Sequence, residues 1–214
     1  MTGGTIAPLC AAVLDRLDLA APGRRLVALS GAPGSGKSTL SVPLAAALTA
    51  QGLPATVVPM DGFHLDNALL AERGLLARKG APESFDLGGF ARLCRALRTE
   101  EQVIYPQFDR ARDLAIAGAG AVDPACRVVI IEGNYLLFDE TGWRDLAALW
   151  DLSIRLDIPM AELETRLVAR WCAHGLDRSA AEARARGNDL ANAARIDAAR
   201  LPADLIWSGQ AAAA

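Results

Sequence analysis

The stretch Leu26 to Leu40, LVALSGAPGSGKSTL, constrains the fold more than any other part of the chain. An apolar run reads as a buried strand, a glycine-rich loop follows, and a lysine opens what reads as a helix. Gly31, Ala32, Pro33, Gly34, Ser35, Gly36, Lys37 and Ser38 satisfy the spacing GxxxxGK[ST]. A polyphosphate is held there by consecutive backbone N–H groups, so side chains must not block its approach, and the helix start adds its positive end. Lys37 is placed to reach the β- and γ-phosphate oxygens, and Ser38 to set its hydroxyl on Mg²⁺. The fixed positions would match by chance in about one per cent or less of chains this size. Residues 31–39, ending at Thr39, are therefore expected to bind ATP with Mg²⁺.

Around this motif, helical and strand patterns alternate, which predicts an α/β fold with a mainly parallel sheet. Strands are expected at 25–30, 55–60, 127–133, 152–158 and 203–209. The helix begun at the loop runs to a stop at Gly52, with Pro43 near its first turn, where a missing N–H is tolerable. Residues 61–86 read as loop with one short helix, and 87–99 as a helix with Asp86 as N-cap. Residues 103–123 read as strands or a hairpin outside the main sheet. Within them GAGAVD (118–123) lacks the third glycine of a dinucleotide fingerprint and reads as turn. An Arg-rich helical stretch occupies 159–200, and the terminal AAAA reads as a frayed end.

Composition narrows the class. At 214 residues, one domain spanning 1–214 is the default. The 22 Lys and Arg against 25 Asp and Glu, formally −3, argue against nucleic acid or an anionic membrane as the main partner. No apolar run approaches the ~20 residues needed to cross a bilayer. The N-terminus has no basic residue before Arg16, unlike a secretory leader. Cys10, Cys94, Cys126 and Cys172 form no CxxC and read as reduced, partly buried thiols of a cytoplasmic protein. With two histidines far apart in sequence, a zinc site is not expected.

A phosphate loop alone serves switches, ATPases and kinases. No NKxD-type guanine motif is present, and the DLGG at Asp86 follows no buried strand. A kinase needs a base for the acceptor hydroxyl and cations around the transferring phosphoryl. Asp61 lies directly after the second strand, at the carboxyl edge that also holds the phosphate loop; a turn aspartate before Gly62 is the plainer alternative. Glu132 ends a β-branched run at the same edge, where it can hold Mg²⁺ directly or through water. Arg166, Arg170 and His174 share one helix face. A flap carrying the two arginines can close over the phosphates, although Glu162 can equally pair with Arg166 on a solvated helix.

Together, GAPGSGKS, MDGFH and VVIIEGNYLL resemble the phosphoribulokinase/uridine kinase family of P-loop kinases, which includes bacterial pantothenate kinases, over roughly residues 20–210. The resemblance implies a three-layer αβα fold with a five-stranded sheet, a helical lid near 159–192 and an acceptor-side insert near 100–124. It implies Asp61 as catalytic base, Lys37, Arg166 and Arg170 as catalytic partners, and Ser38 and Glu132 at the metal. RKGAPESFD (78–86) resembles a pantothenate kinase segment, yet the chain is shorter and lacks an evident aromatic pantothenate pocket. Uridine kinases typically carry a tyrosine where this chain has His64. The set DGFHLDN, RKGAPESFD, YPQFDRARDLA and RWCAHG…GNDLANA resembles bacterial proteins provisionally labelled fructose transport system kinases.

The family's acceptor geometry places His64, Arg78, Lys79, Tyr105, Asp109, Arg110, Asn134 and Tyr135 near the substrate, with Arg112 beside them. Phe63 and Phe108 read as packing. The arginines of DRARD either bind an anionic acceptor or bridge Asp109 and Asp113. The expectation is an ATP- and Mg²⁺-dependent kinase of a small hydroxylated metabolite, a sugar such as fructose. Nucleosides, pantothenate and a non-transferring regulatory module are the alternatives, and a homodimer is left open.

Overall fold

The computed structural model describes residues 6–208. Five parallel strands form the central sheet: β1 (Arg25–Gly31), β2 (Ala55–Pro59), β5 (Val128–Gly133), β6 (Leu152–Leu156) and β7 (Leu205–Trp207), in the order β2-β5-β1-β6-β7. β1 and β5 are buried along their whole length. That is why both read as unbroken apolar runs and not as alternation: a parallel strand is covered on both faces. Leu26, Ala28, Val129 and Ile131 face one core layer with Phe90 of α4 (Leu87–Thr99). Val27, Leu29, Val128 and Ile130 face the other, built with α1 (Ala7–Arg16) and α2 (Lys37–Ala50).

Register aligns the functional edge. Leu29 pairs with Glu132 and Ser30 with Gly133, while Pro59 on the other side of β5 also pairs with Glu132. The phosphate loop, the end of β5 and the turn after β2 therefore emerge side by side. α3 (Asn67–Glu72) lies in the 61–86 connection. β3 (Val103–Asp109) and β4 (Leu114–Val122) form a separate antiparallel hairpin with an irregularity between Tyr105 and Gln107, where Pro106 cannot donate a ladder bond. The segment expected as a lid forms α5 (Met160–Ala173), α6 (Arg178–Arg184), a π-helical turn (Ala185–Asp189) and α7 (Leu190–Ala198).

Two local expectations need correction, on GAGAVD and on Pro43. GAGAVD is not a turn: its first five residues belong to β4, and the Tyr105 ring lies so close over Gly120 that a Cβ there would sit 2.4 Å from it. Glycine there makes room for an aromatic ring, which spacing alone did not show. Pro43 lies inside α2, past the first turn, so the helix forgoes one internal bond without breaking. Cys10, Cys94 and Cys126 are buried, but Cys172 is exposed. The AAAA tail and the end of the 203–209 strand assignment lie outside the described residues.

Candidate active site

The phosphate loop takes its shape from glycine. Gly34 and Gly36 have φ of 79° and 93°, in the left-handed region. A Cβ on Gly34 would meet Leu167 of α5 at 3.0 Å, so the lid helix packs directly on the outside of the loop. Lys37 begins α2 and is buried. Its ammonium donates to Gly31 O at 2.8 Å, Ala32 O at 3.0 Å and Asn134 Oδ1 at 2.7 Å. Burial pushes the lysine pKa down, and the charges of Glu132 and Asp61 pull it back up. Among the described residues no carboxylate lies within ion-pairing distance of Lys37. A buried cation held only by neutral oxygens fits the arrival of a polyanion.

Glu132 is buried at the end of β5 and accepts from Ser38 Oγ at 3.0 Å. Burial raises its pKa, and Lys37 opposes that shift. A hydroxyl and a carboxylate are hard oxygen donors that suit Mg²⁺, whose other ligands are usually phosphate and water.

Asp61 sits in a 3₁₀ turn immediately after β2. Its carboxylate accepts from Arg110 at 2.7 Å. Gly62 has a reason beyond turn chemistry: a Cβ there would lie 2.1 Å from the Pro106 carbonyl oxygen. Glycine thus lets the hairpin backbone close on the turn, which brings Arg110 to Asp61. His64 donates from Nδ1 to the Asp61 carbonyl at 2.8 Å and stacks between Phe85 and Phe108, at 4.1 and 4.7 Å. Burial lowers its pKa, so the ring is neutral and Nε2 is left as an acceptor.

From the lid, Arg166 donates to Ser35 O at 3.1 Å and to Glu162 at 2.5 Å, so loop docking and the helix pair coexist. Arg170 lies near the Trp171 ring. Burial and then the charge of Arg110 lower its pKa, while Asp189 and Asp61 raise it.

One cavity of about 430 Å³ is lined by Gly34, Gly36, Lys37, Ser38, Asp61, His64, Arg110, Glu132, Asn134, Arg166 and Arg170. Pro33 and Thr39 line it too, together with Gly80, His174 and Asp189. Sequence reasoning did not single out Gly80 or Asp189 as site residues, because each lies in a motif whose partner is distant in the chain.

Other expected residues do not reach the cavity. Tyr135 is fully buried and donates to Gly80 O, and Tyr105 is buried and donates to Val57 O. Both are wall supports. Arg78 donates to Asn192, and Asp109 accepts the backbone N–H groups of Ala111 and Arg112. Arg110 and Arg112 do not bridge Asp109 and Asp113: Arg110 pairs with Asp61, and Asp113 with Lys79. Lys79 is held on Asn67 and Asp113 and does not line the cavity either, and Gly31, Ala32 and Ser35 line a different one, shared with Leu156, Ile158 and Leu163.

The model of the phosphoribulokinase/uridine kinase family matches residues 26–172. The chain belongs to this family. It is an ATP-dependent small-molecule kinase with the P-loop kinase fold. A crystal structure from Silicibacter sp. TM1040, named "putative fructose transport system kinase", is 73% identical with a TM-score of 0.93, over 97% of this chain and 99% of that one. The uncharacterised Escherichia coli K12 protein YggC is 40% identical over 190 residues, covering 86% of this chain and 78% of YggC. D-glycerate 3-kinase of Cryptococcus neoformans shares the fold, with a TM-score of 0.71 over 90% of this chain and 87% of that one at 14% identity. No helix among the described residues is long and apolar enough to cross a membrane.

Proposed function

We propose that this kinase moves the γ-phosphoryl of MgATP onto a hydroxyl of a small polyhydroxylated metabolite, with fructose the first acceptor to test. The observation that carries this is the convergence of Lys37, Asp61, Glu132 and Arg170 on one cavity. The loop amides and Lys37 hold the phosphates. Ser38 and Glu132 would hold Mg²⁺, which would supply positive charge against the phosphates. Asp61 takes the acceptor's proton once the hydroxyl replaces Arg110 on its carboxylate. Arg166 and Arg170 offset charge on the transferring group and help keep water out.

The acceptor side favours a polyol over a nucleoside. His64 is already stacked between two phenyl rings, and both tyrosines are buried in the wall, so the expected aromatic faces are engaged. The remaining groups, His64 Nε2, Arg110 and Asn134, suit hydroxyls. The buried free thiols fit a cytoplasmic setting. The test is ATP consumption with fructose, other sugars, D-glycerate, uridine and pantothenate, with the phosphorylated product identified by mass. A phosphorylated sugar is expected. No acceptor-dependent consumption across the panel would leave a nucleotide-binding module without transfer.

A further inference from the structure

Two motifs that the catalytic roles leave unexplained, RKGAPESFD and GNDLANA, meet in space. Asn188 Nδ2 donates to the Lys79 carbonyl at 2.7 Å. Arg78 donates to Asn192 Oδ1 at 3.3 Å, and Asn192 Nδ2 to Asn188 Oδ1 at 3.4 Å. Both asparagines are buried, at 3% and 1% exposure, so these amides are committed to each other and to the wall and not to solvent. Gly80 carries a φ of 99°, and its carbonyl accepts from Tyr135 at 2.6 Å, which fixes the wall from behind.

The contact arises from the π-helical turn Ala185–Asp189. One wide turn between α6 and α7 re-aims successive side chains, a geometry common at functional sites. Asn188 goes to the acceptor wall, while Asp189 lines the cavity and accepts from the Trp171 indole at 2.7 Å. Trp171 adjoins Arg170 on α5. On the other side, Lys79 Nζ donates to Asn67 Oδ1 and to the Asp113 carbonyl, both at 2.7 Å, and pairs with the Asp113 carboxylate at 3.0 Å. Asp113 has a φ of 55° at the end of the hairpin loop that also carries Arg110. Such a backbone persists when its surroundings hold it, as Lys79 and Asn67 do here. A path of contacts therefore runs from Arg170 through Trp171, Asp189, Asn188 and Lys79 to Asp113, and the hairpin loop itself links Asp113 to Arg110, which holds Asp61.

We infer that Asn188 is a positioning residue that latches the lid to the acceptor wall, so that nucleotide-driven lid closure and ordering of the acceptor side occur together. This rests on the kinase reading above. Lid closure drawn by phosphates on Arg166 and Arg170 stabilises the π turn, and Asn188 passes that order to residues 78–80. In the reverse direction, a hydroxyl that takes Asp61 from Arg110 frees the hairpin to settle on the acceptor, and Lys79 relays this to the lid.

Hydrogen–deuterium exchange on the full chain, with and without Mg²⁺ and the non-hydrolysable analogue AMP-PNP, tests this in wild type, Asn188→Ala and the near-isosteric Asn188→Leu. In wild type the nucleotide should slow exchange at the phosphate loop, at residues 178–190 and at residues 76–86. In both variants the first two effects should persist, while the effect at 76–86 falls by about fivefold, the scale of one net buried hydrogen bond. With the acceptor found by the panel, KM for the acceptor should rise by a similar factor while KM for MgATP stays within about twofold. Protection at 76–86 retained in both variants overturns the latch. So does wild-type protection of the phosphate loop without protection at 76–86, a result that stands even if neither variant folds and that leaves the kinase reading intact. Absence of protection at the phosphate loop itself overturns both.

Discussion

The donor and acceptor halves of the cavity are built differently. On the donor side the charged groups Lys37 and Glu132 are buried, and the loop that shapes the site is one run of consecutive residues, with Asn134 and Glu132 reaching it from the neighbouring strand end. Lys37 bonds to two carbonyls no more than six residues away, and Glu132 lies in the central sheet beside the same loop. On the acceptor side Asp61 is held by an exposed arginine 49 residues away, and the wall at Lys79 is held by an amide 109 residues away. Backbone geometry shapes the first half, with β5 alongside β1 bringing Glu132 and Asn134 to the loop. Exchangeable side-chain pairs assemble the second. A phosphate cradle of this kind serves any acceptor, whereas the opposite wall can change its chemistry without disturbing the sheet.

The comparison breaks most sharply at Asp61. Asp61→Asn should cut acceptor phosphorylation by roughly 10²–10⁴-fold, the range of a general base, with MgATP affinity nearly unchanged by titration calorimetry. A parallel loss of nucleotide binding would mean the two halves are not separable.

On the donor side the prediction has a pH signature. Burial raises the Glu132 pKa above its ordinary 4.5. A metal-holding carboxylate must be ionised, so Mg²⁺ has to displace this proton, and Mg²⁺ affinity should fall, as pH drops, from a higher pH than an ordinary carboxylate would give. The stability effect has the opposite sense. The folded protein binds this proton more tightly than the unfolded chain, so Glu132 costs stability as pH rises from 4.5 through its folded value. Glu132→Gln should therefore lose Mg²⁺-dependent transfer yet raise the melting temperature of the nucleotide-free protein near pH 8.

Gly62→Ala comes next. Its Cβ would collide with the Pro106 carbonyl, forcing the hairpin away at a cost of roughly 1–3 kcal/mol in chemical denaturation. Acceptor-dependent turnover should suffer far more than nucleotide binding. The smallest effect is expected at Arg110→Ala. Its guanidinium is half-exposed, so the ion pair should contribute less than about 1 kcal/mol to stability. Any larger change should appear in acceptor KM, which would identify Arg110 as a substrate contact.

Much of this was legible in the residues. The strand–loop–helix unit, the sheet strands and the α4 N-cap at Asp86 follow from local pattern, and the cap is made to Gly89 N–H. The places of Asp61 and Glu132 follow from each ending a strand at one edge. The positions of Tyr105 and Tyr135 are not legible in the sequence, because a tyrosine's hydroxyl can face a ligand or a backbone carbonyl with equal chemical ease, and packing places both on carbonyls here. GAGAVD reads as a turn but forms strand because glycine signals both a turn and a surface pressed against a ring.

By itself the sequence determined the anion cradle, since inward-facing N–H groups and a helix start are properties of a few consecutive residues. Tertiary structure alone decided that Arg110 would hold Asp61, that Asn188 would hold Lys79, and that Gly62 would admit the hairpin. Each of these depends on how two surfaces from distant parts of the chain dock, and docking is set by the packing of the whole core and not by any one segment's pattern.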